Sequence, residues 1–201
     1  MRLYLVRHAQ TAHNVESRCQ GWTDVELDEI GLQQAEALAG YFASRNLDAT
    51  FSSDLRRAVS TALPTSLLKG VEIQRTELLR ERSLGKLEDA PISALRQAFD
   101  DEIQRTGESR YRARPMGVES AYDVMARAIE FTRLLPDDQD VAVFTHGMTE
   151  EVLLCHLVGA PVESSRSFSF ANASVTTLRW DQDVWVLETY DDTRHLSANE
   201  Q

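Results

Sequence analysis

Short apolar strands alternate with long amphipathic helices along the 201 residues, and this alternation constrains the fold more than any other feature. The predicted strands cover residues 2–6, 47–52, 71–79, 141–145, 174–180 and 184–189. The predicted helices cover residues 28–46, 55–62, 91–106, 120–135 and 149–158. Strands that alternate with helices favour a parallel sheet with helices on both faces. The sequence therefore predicts an α/β fold, a three-layer α/β/α sandwich with a mainly parallel central sheet.

Capping and breaking residues mark the expected ends of the first two helices. Asp28 is expected to cap the first helix and Ser53 or Asp54 the second, because their side-chain oxygens can accept from unpaired N–H groups. Pro64 is expected to disturb or restart the second helix, since proline lacks an N–H donor and crowds the preceding turn.

One domain is predicted over residues 1–201, because the chain shows no internal repeat and no low-complexity linker. Residues 88–118 form a polar excursion with a helix and an irregular end, where an insertion or a lid would sit. The last ten residues are expected to form a polar tail.

The charge composition argues against two classes of main partner. The chain has 21 basic and 32 acidic residues, which gives a formal net charge of −11. Nucleic acids and anionic membranes require a basic surface, so we expect neither as a partner. An anionic ligand would need positive charge that is concentrated locally against the acidic whole.

The cysteine content and the apolar runs indicate a reduced, cytoplasmic protein. Cys19 and Cys155 are too few for a disulfide framework, and neither has metal-ligand spacing around it. The first residues lack the apolar core of a signal peptide, and no apolar run approaches the length of a membrane span.

Histidines follow two of the predicted strands directly. His8 lies just after the first strand and His146 just after the fourth. Ligands of open parallel sheets bind beyond the carboxyl ends of the strands, so we expect both imidazoles in one crevice. Arg7 accompanies the first histidine, and Arg57 begins a helix after another strand. Two guanidiniums, two imidazoles and nearby helix N-termini favour an anion site, and phosphate suits the arginine fork best.

Six segments of the chain carry a recognisable pattern. They read LVRHAQTAHN at 5–14, QGWTDVELDEIGLQQA at 20–35, SSDLRRAVSTA at 52–62, LLRERSLGKLED at 78–89, PMGVES at 115–120 and FTHGMT at 144–149. In this order they resemble the motifs of the histidine phosphatase superfamily, the phosphoglycerate-mutase-like proteins. The resemblance covers nearly the whole chain.

The resemblance implies phosphoryl transfer with a role for each site residue. It implies that His8 is the nucleophile, which forms a transient phosphohistidine, and that Glu81 is the general acid and then the base that activates water. It implies that Arg7, Arg57 and His146 hold the phosphoryl oxygens, without a metal or other cofactor. The further substrate-binding residues that it implies are Asn14, Gln20, Gly21, Arg82 and Gly147. The neighbouring arginines are expected to keep His8 neutral near pH 7.

Departures from the family pattern leave three functions open. Mutases of the family carry a tyrosine and a lysine after the acid segment, whereas Leu84 stands at the tyrosine's position and no lysine matches. This favours a metal-independent phosphatase for small phosphate monoesters over a cofactor-dependent phosphoglycerate mutase. A phosphate-binding module without turnover is the third interpretation. Only Ala9 supports it, in place of the family's usual glycine, because a methyl group there could crowd the loop.

Other polar residues have open assignments. Glu88 is either an alternative acid or a loop residue in solvent, and Arg56 is expected to face solvent because it lies about 100° from Arg57 on the helix. A second set either grips another acidic group of the substrate or forms a solvated patch: Arg110, Arg112 and Arg114.

The remaining candidates are aromatic or apolar side chains and histidines. Side chains that either line the mouth of the pocket or pack in the core are Trp22, Tyr111 and Met116. His13 and His156 are expected to be structural or at the surface, and His195 lies in the tail. We expect a small phosphorylated metabolite as the partner. The oligomeric state stays open, with a homodimer as one option.

Overall fold

The computed structural model of the chain describes residues 1–199, and a six-stranded sheet forms its centre. The strands are β1 (Arg2–Arg7), β2 (Ala49–Ser53), β3 (Ile73–Thr76), β4 (Val141–Thr145), β5 (Val175–Asp181) and β6 (Val184–Asp192). Their order in the sheet is β3-β2-β4-β1-β5-β6. The pairs from β3 to β1 are parallel, and β5 and β6 add antiparallel pairs at one side. The predicted mainly parallel sheet is therefore confirmed.

Helices connect these strands and cover the sheet. They are α1 (Ala12–Val15), α2 (Glu29–Ala43), α3 (Arg56–Lys69), α4 (Ile92–Thr106), α5 (Ala121–Thr132) and α6 (Gly147–Leu157). Short 3₁₀ turns cover Glu77–Leu79, Gly85–Leu87, Pro115–Gly117, Val162–Ser167 and Arg194–Asn199. None of the helices within residues 1–199 combines the length and the apolar character that a bilayer crossing requires.

Two cores lie on opposite faces of the sheet, because successive side chains of a strand point to opposite sides. Leu3 and Leu5 of β1 belong to the core under α5 and α6. Tyr4 and Val6 belong to the core under α2 and α3. The three-layer sandwich predicted from the alternation of strands and helices is thus confirmed.

The excursion packs on a third, smaller cluster around Phe99, the one fully buried side chain of α4. Main-chain hydrogen bonds tie this region to the segment after α1. Cys19 N–H donates to Ala90 O at 2.8 Å, Asp89 N–H donates to Cys19 O at 2.9 Å, and Ile92 N–H donates to Ser17 O at 3.0 Å. The start of the excursion and the 17–19 segment therefore form one hydrogen-bonded unit.

The ends of α2 and α3 test the capping predictions. Asp28 caps α2 as predicted, and its side chain accepts from Gly31 N–H at 2.7 Å. The prediction for α3 is wrong, because its N-cap is Leu55 and no side chain caps it. Pro64 does not break α3, which runs through it to Lys69. Buried residues on both sides of Pro64 hold the two halves of the helix in the core, so tertiary packing outweighs the local penalty.

Other boundaries differ from the predictions by a few residues. The weak strand at 71–79 is a strand only over Ile73–Thr76, and α5 ends at Thr132 rather than at 135. The tail prediction is wrong over 194–199, where a 3₁₀ turn packs Leu196 against the α2 side of the sheet. His195 is held there, with Nε2 donating to Ala173 O at 3.0 Å. The last two residues of the predicted tail lie outside the described range.

Candidate active site

The carboxyl ends of β1 and β4 bring two histidines side by side. The strands pair in parallel with Arg7 opposite Thr145, so the next residue of each, His8 and His146, are neighbours. His8 N–H continues the ladder by donating to Thr145 O at 2.9 Å. The ring centroids lie 5.2 Å apart. The two imidazoles, 138 positions apart in the sequence, therefore form one cluster, as the strand ends suggested.

The hydrogen bond of His8 fixes which ring nitrogen carries the proton. Nδ1 lies 2.7 Å from Ala9 O, and a carbonyl oxygen can only accept, so Nδ1 is protonated and Nε2 keeps its lone pair. Burial first, and the guanidiniums of Arg57 and Arg7 second, lower the pKa of His8 well below its ordinary value. The imidazole is therefore neutral at pH 7, although burial contributes more than the arginines on which the sequence argument relied.

Arg57 occupies the first turn of α3 and is completely buried. Nε donates to His146 Nδ1 at 3.2 Å. Nη1 donates to Thr23 O at 2.9 Å and Nη2 to Gly21 O at 2.8 Å. Burial lowers the pKa of Arg57 to about 10, so it stays a cation at pH 7. A guanidinium has five N–H donors, and two of them remain for a ligand.

The bond from Arg57 also fixes the tautomer of His146. Because Nδ1 accepts, Nε2 carries the proton, and this buried N–H has no partner within residues 1–199. Burial, followed by the charge of Arg57, lowers the pKa of His146 well below its ordinary value. His146 is thus a neutral hydrogen-bond donor beside His8.

Arg7 and Glu81 flank the N-terminus of α6. A Cβ on Gly147 would lie 3.8 Å from Arg7 Nε and 3.9 Å from Glu81 Oε2. Glu81 Oε1 accepts from Arg82 N–H at 2.8 Å, and Oε2 accepts from Met148 N–H at 3.4 Å. Arg7 Nη1 donates to Phe170 O, while Nε is buried without a partner in the described chain. The carboxyl group of Glu81 and the guanidinium of Arg7 therefore both lie next to the N-terminus of α6.

Thr11 orients two amide side chains at the start of α1. Asn14 Oδ1 accepts from Thr11 N–H at 3.1 Å, in a capping box, and Gln20 Oε1 accepts from Thr11 Oγ1 at 3.1 Å. Both amide oxygens are thereby occupied. Since Asn14 and Gln20 line the cavity at His8, their amide NH₂ groups can serve as donors to an anion there.

The cavity at His8 has a volume of about 250 Å³. The predicted site residues that line it are Arg7, His8, Asn14, Gln20, Gly21, Arg57, Glu81 and Arg82. His146 and Gly147 do not line it, but His146 contacts Arg57 and Gly147 adjoins Arg7.

The cavity is basic in a protein of net charge −11. Besides the predicted arginines Arg7, Arg57 and Arg82, it contains Arg18, against the single carboxylate of Glu81. Positive charge is therefore concentrated locally, as an anion site requires. Cys19 also lines the cavity, but burial raises the pKa of its thiol, which keeps it protonated.

Glu88 fits neither of its predicted assignments. Oε1 accepts from Trp22 N–H at 2.9 Å, and Oε2 accepts from Thr23 Oγ1 at 3.0 Å. Glu88 therefore holds the turn whose carbonyls accept from Arg57. Arg56 faces solvent as predicted, in ion pairs with acidic residues of the same loop at 2.9 and 2.6 Å.

The three arginines of the excursion separate into two groups. Arg112 stacks on Tyr122 at 4.1 Å, and Arg114 pairs with Asp123 at 2.6 Å, so both belong to the surface. Arg110 pairs with Asp100 and lines a second cavity next to the first.

Of the remaining aromatic, apolar and histidine candidates, some lie at a cavity or contact a site residue and the others lie away from both cavities. Tyr111 lines the second cavity, Met116 lines neither cavity, and Trp22 Nε1 donates to Glu81 O at 2.7 Å. His13 contacts Asp89 Oδ1 at 2.7 Å at the surface, and His156 lies away from both cavities.

Besides Arg18, sequence reasoning missed two residues near the site. Asn172 Nδ2 donates to His8 O at 2.9 Å, and Thr61 Oγ1 accepts from Ala9 N–H at 2.9 Å. Asn172 precedes β5, which pairs antiparallel with β1. That pairing is the signal that could have identified Asn172, since it brings the start of β5 beside the end of β1.

Comparisons with known proteins agree with this geometry. A family model described as histidine phosphatase superfamily (branch 1) matches residues 3–193. A protein of Yersinia pestis named probable phosphoglycerate mutase is 30% identical over 98% of this chain and 95% of its own length. A mycobacterial glucosyl-3-phosphoglycerate phosphatase has a similar structure, with a TM-score of 0.82 and 32% identity over 96% of this chain and 99% of that one.

A more distant structure shares the fold. An alpha-ribazole phosphatase from Shigella flexneri superimposes with a TM-score of 0.85, at 23% identity over 96% of each chain. The family model covers nearly the whole chain, and the matched residues include the paired histidines and the lining of the basic cavity. The chain therefore belongs to branch 1 of the histidine phosphatase superfamily.

Proposed function

We propose that the protein hydrolyses small phosphate monoesters without a metal, through a phosphohistidine on His8. The observation that carries this proposal is the bond between His8 Nδ1 and Ala9 O, which leaves a neutral Nε2 lone pair in a basic cavity. A nucleophile that is already deprotonated at neutral pH needs no general base of its own.

The first step transfers the phosphoryl group to the enzyme. Nε2 of His8 attacks phosphorus, the bond from phosphorus to the ester oxygen breaks, and the leaving oxygen takes a proton from the carboxyl group of Glu81. Arg7, Arg57 and the Nε2–H of His146 donate to the equatorial oxygens, on which charge is concentrated in the transition state. The N-terminus of α6 adds partial positive charge at the same place.

The second step releases phosphate. The Glu81 carboxylate accepts a proton from water, the resulting hydroxide attacks phosphorus, and the bond to His8 Nε2 breaks. Inorganic phosphate leaves with the hydroxyl oxygen, and both His8 and protonated Glu81 are regenerated. The phosphoryl group is thus transferred twice, first to His8 and then to water, with the same donors bound to its oxygens. Two transfers divide one high barrier into two lower ones.

The relatives support a phosphatase but include a mutase name. The mycobacterial glucosyl-3-phosphoglycerate phosphatase has been solved with VO₃ and with inorganic phosphate. The Yersinia relative, by contrast, is named a probable phosphoglycerate mutase. Leu84, which matches the position of the mutase tyrosine, lines the cavity here and offers no hydrogen bond to a substrate. We therefore place hydrolysis first and mutase activity second.

Ala9 gives little support to a binding module without turnover. Its methyl group is buried, its N–H donates to Thr61 Oγ1 at 2.9 Å, and its φ is not positive. Alanine thus fits this backbone without the strain that would call for glycine.

A phosphate-release screen over a panel of phosphorylated metabolites with EDTA present tests the proposal. Release of phosphate that EDTA leaves unchanged is the expected result. Transfer between the hydroxyls of phosphoglycerate, dependent on a bisphosphate primer and without free phosphate, would instead identify a mutase. Binding of phosphate esters without either reaction would identify a binding module.

A further inference from the structure

A second cavity of about 290 Å³ opens directly beside the one at His8. The two cavities share Arg82, Ile92, Leu95 and Met148 as lining residues. An ester whose phosphorus lies against His8 can therefore extend its leaving group into this second cavity.

Four arginines line the second cavity, among apolar and aromatic side chains. Its basic residues are Arg82, Arg96, Arg110 and Arg166. Arg96 and Arg166 form no ion pair with any carboxylate of residues 1–199. Buried Nη2 of Arg82 has no hydrogen-bond partner in the same range, although Nε donates to Glu119 O at 2.6 Å. Three guanidiniums thus have donors that the described chain does not use.

The aromatic ring of Phe99 holds two of the four guanidiniums of the cavity in place, and one of the two, Arg82, has an unused donor. The Arg82 guanidinium carbon lies 4.5 Å from the centre of the Phe99 ring, and that of Arg110 lies 5.4 Å from it. Phe99 itself is buried in the third cluster, so the ring is fixed. Stacking orients the planar forks before a ligand arrives, and pre-orientation reduces the entropy that binding loses.

One carboxyl group, that of Glu151, lines the second cavity, and its pKa is raised. Burial is the main cause that raises the pKa of Glu151 to about 8. At pH 7 Glu151 therefore keeps its proton in most molecules and can donate a hydrogen bond. It neither neutralises the arginines nor repels an anion under these conditions.

We propose that this second cavity binds a second anionic group, a carboxylate or a phosphate, on the leaving group of the substrate. The inference rests on the proposed function, because it takes the phosphate at His8 as the first anchor. Unpaired guanidiniums favour a carboxylate or phosphate partner over a neutral hydroxyl, since a charge-assisted bond is stronger than a neutral one. Esters with neutral leaving groups would leave these donors unused.

Binding to the His8→Ala variant tests the inference without turnover. Isothermal calorimetry gives Kd for two matched pairs: 3-phosphoglycerate against glycerol 3-phosphate, and fructose 1,6-bisphosphate against fructose 6-phosphate. Each pair differs by one anionic group. We expect the member with the additional anion to bind at least about tenfold more tightly in one pair, which corresponds to one charge-assisted hydrogen bond.

Variants of the exposed arginines show where the preference arises. The Arg96→Gln/Arg166→Gln double variant should lose most of the preference for the additional anion. Its Kd for the ligand with a single phosphate and no second anionic group should stay within twofold of the value for the protein with both arginines. Arg112→Gln is the matched control, because Arg112 lies outside both cavities and should keep the preference. Equal Kd values within both pairs would overturn the inference, as would an equal loss for both members in the double variant.

The same proteins separate this inference from the proposed function. Phosphate release by the wild type over the panel of phosphate esters tests the proposed hydrolysis and does not depend on the second anion site. Absence of release together with a preserved Kd preference would reject hydrolysis and retain the second anion site. Release without any Kd preference would retain hydrolysis and reject the second site.

Discussion

Two adjacent arginines allow the role of Arg57 in binding the phosphoryl group to be tested with a matched control. Arg57 is completely buried and donates to Gly21 O, Thr23 O and His146 Nδ1. Arg56 precedes it in the chain, faces solvent, forms surface ion pairs with Asp24 and Glu26 and donates to Asp24 O at 2.9 Å. Arg57→Met and Arg56→Met therefore remove the same chemical group from opposite environments.

The free energy of unfolding of Arg57→Met combines two opposing effects. Two buried acceptors, His146 Nδ1 and Gly21 O, and the partly buried Thr23 O lose their donor, and each buried group left unsatisfied costs about 1–3 kcal/mol. Against this, burial lowers the pKa of Arg57 to about 10, which means that the fold holds the cation at a cost of about 3 kcal/mol. Removing the charge recovers that cost, so we expect a net destabilisation of about 2 kcal/mol. Arg56→Met should change stability by no more than about 1 kcal/mol.

Phosphate release should respond very differently from stability. Loss of a positioned donor to the transition state typically lowers kcat by about 100-fold or more, and Arg57→Met should show at least this effect. Arg56→Met should stay within about twofold of the wild type. Urea unfolding at pH 7 and initial rates of phosphate release measure the two quantities on the same samples. Activity of Arg57→Met within tenfold of the wild type, or equal behaviour of the two variants, would refute the assigned role of Arg57.

Four further predictions each concern one residue. His8→Ala should abolish phosphate release, and quenching of the wild type in alkaline denaturant, in which the P–N bond of a phosphohistidine survives, should trap label on a histidine; turnover of the variant near the wild-type rate contradicts the mechanism. Burial raises the pKa of Glu150 well above its ordinary value, so the unfolded state loses this proton first and stability falls as pH rises above about 4.5. Glu150→Gln should therefore gain stability relative to the wild type as pH rises above 5, by up to about 1.4 kcal/mol per pH unit in urea titrations, and a pH-independent difference would exclude this cause. Gly21→Ala should lose at least about 1 kcal/mol in thermal or urea unfolding, because φ is +50° and the new Cβ would lie 2.8 Å from Glu88 Oε1. Gly40→Ala, with no atom within 4 Å of its Cβ, should instead gain about 0.5–1 kcal/mol.

The parts of the fold that follow from local pattern could be predicted. The apolar runs of β1 and β4 and the periodicity of α2 are readable within a few residues of sequence. The positions of His8 and His146 at strand ends follow from the same pattern, because parallel strands end at one edge of the sheet. The fold class and the juxtaposition of the two histidines were therefore accessible without a structure.

Long-range contacts decide what could not be predicted. Glu88 resembles any loop carboxylate until Trp22 and Thr23, more than 60 positions earlier, are seen to donate to it. Pro64 is predicted to break the helix because the adjacent sequence does not reveal the core contacts that hold both halves of α3 together. The raised pKa of Glu151 likewise depends on burial by segments that meet only in the folded chain. Each of these properties belongs to a pair of distant segments rather than to either segment alone.

The main-chain bonds between residues 17–19 and 89–92 have a consequence for engineering this enzyme family. Ser17 and Cys19 lie beside Gln20, a wall of the first cavity, and residue 92 begins the helix that carries the wall of the second. A chimera that receives only residues 88–118 from a relative would have to rebuild these bonds against a foreign backbone. Exchange of leaving-group preference between relatives should therefore succeed when both stretches are transplanted together as one cassette.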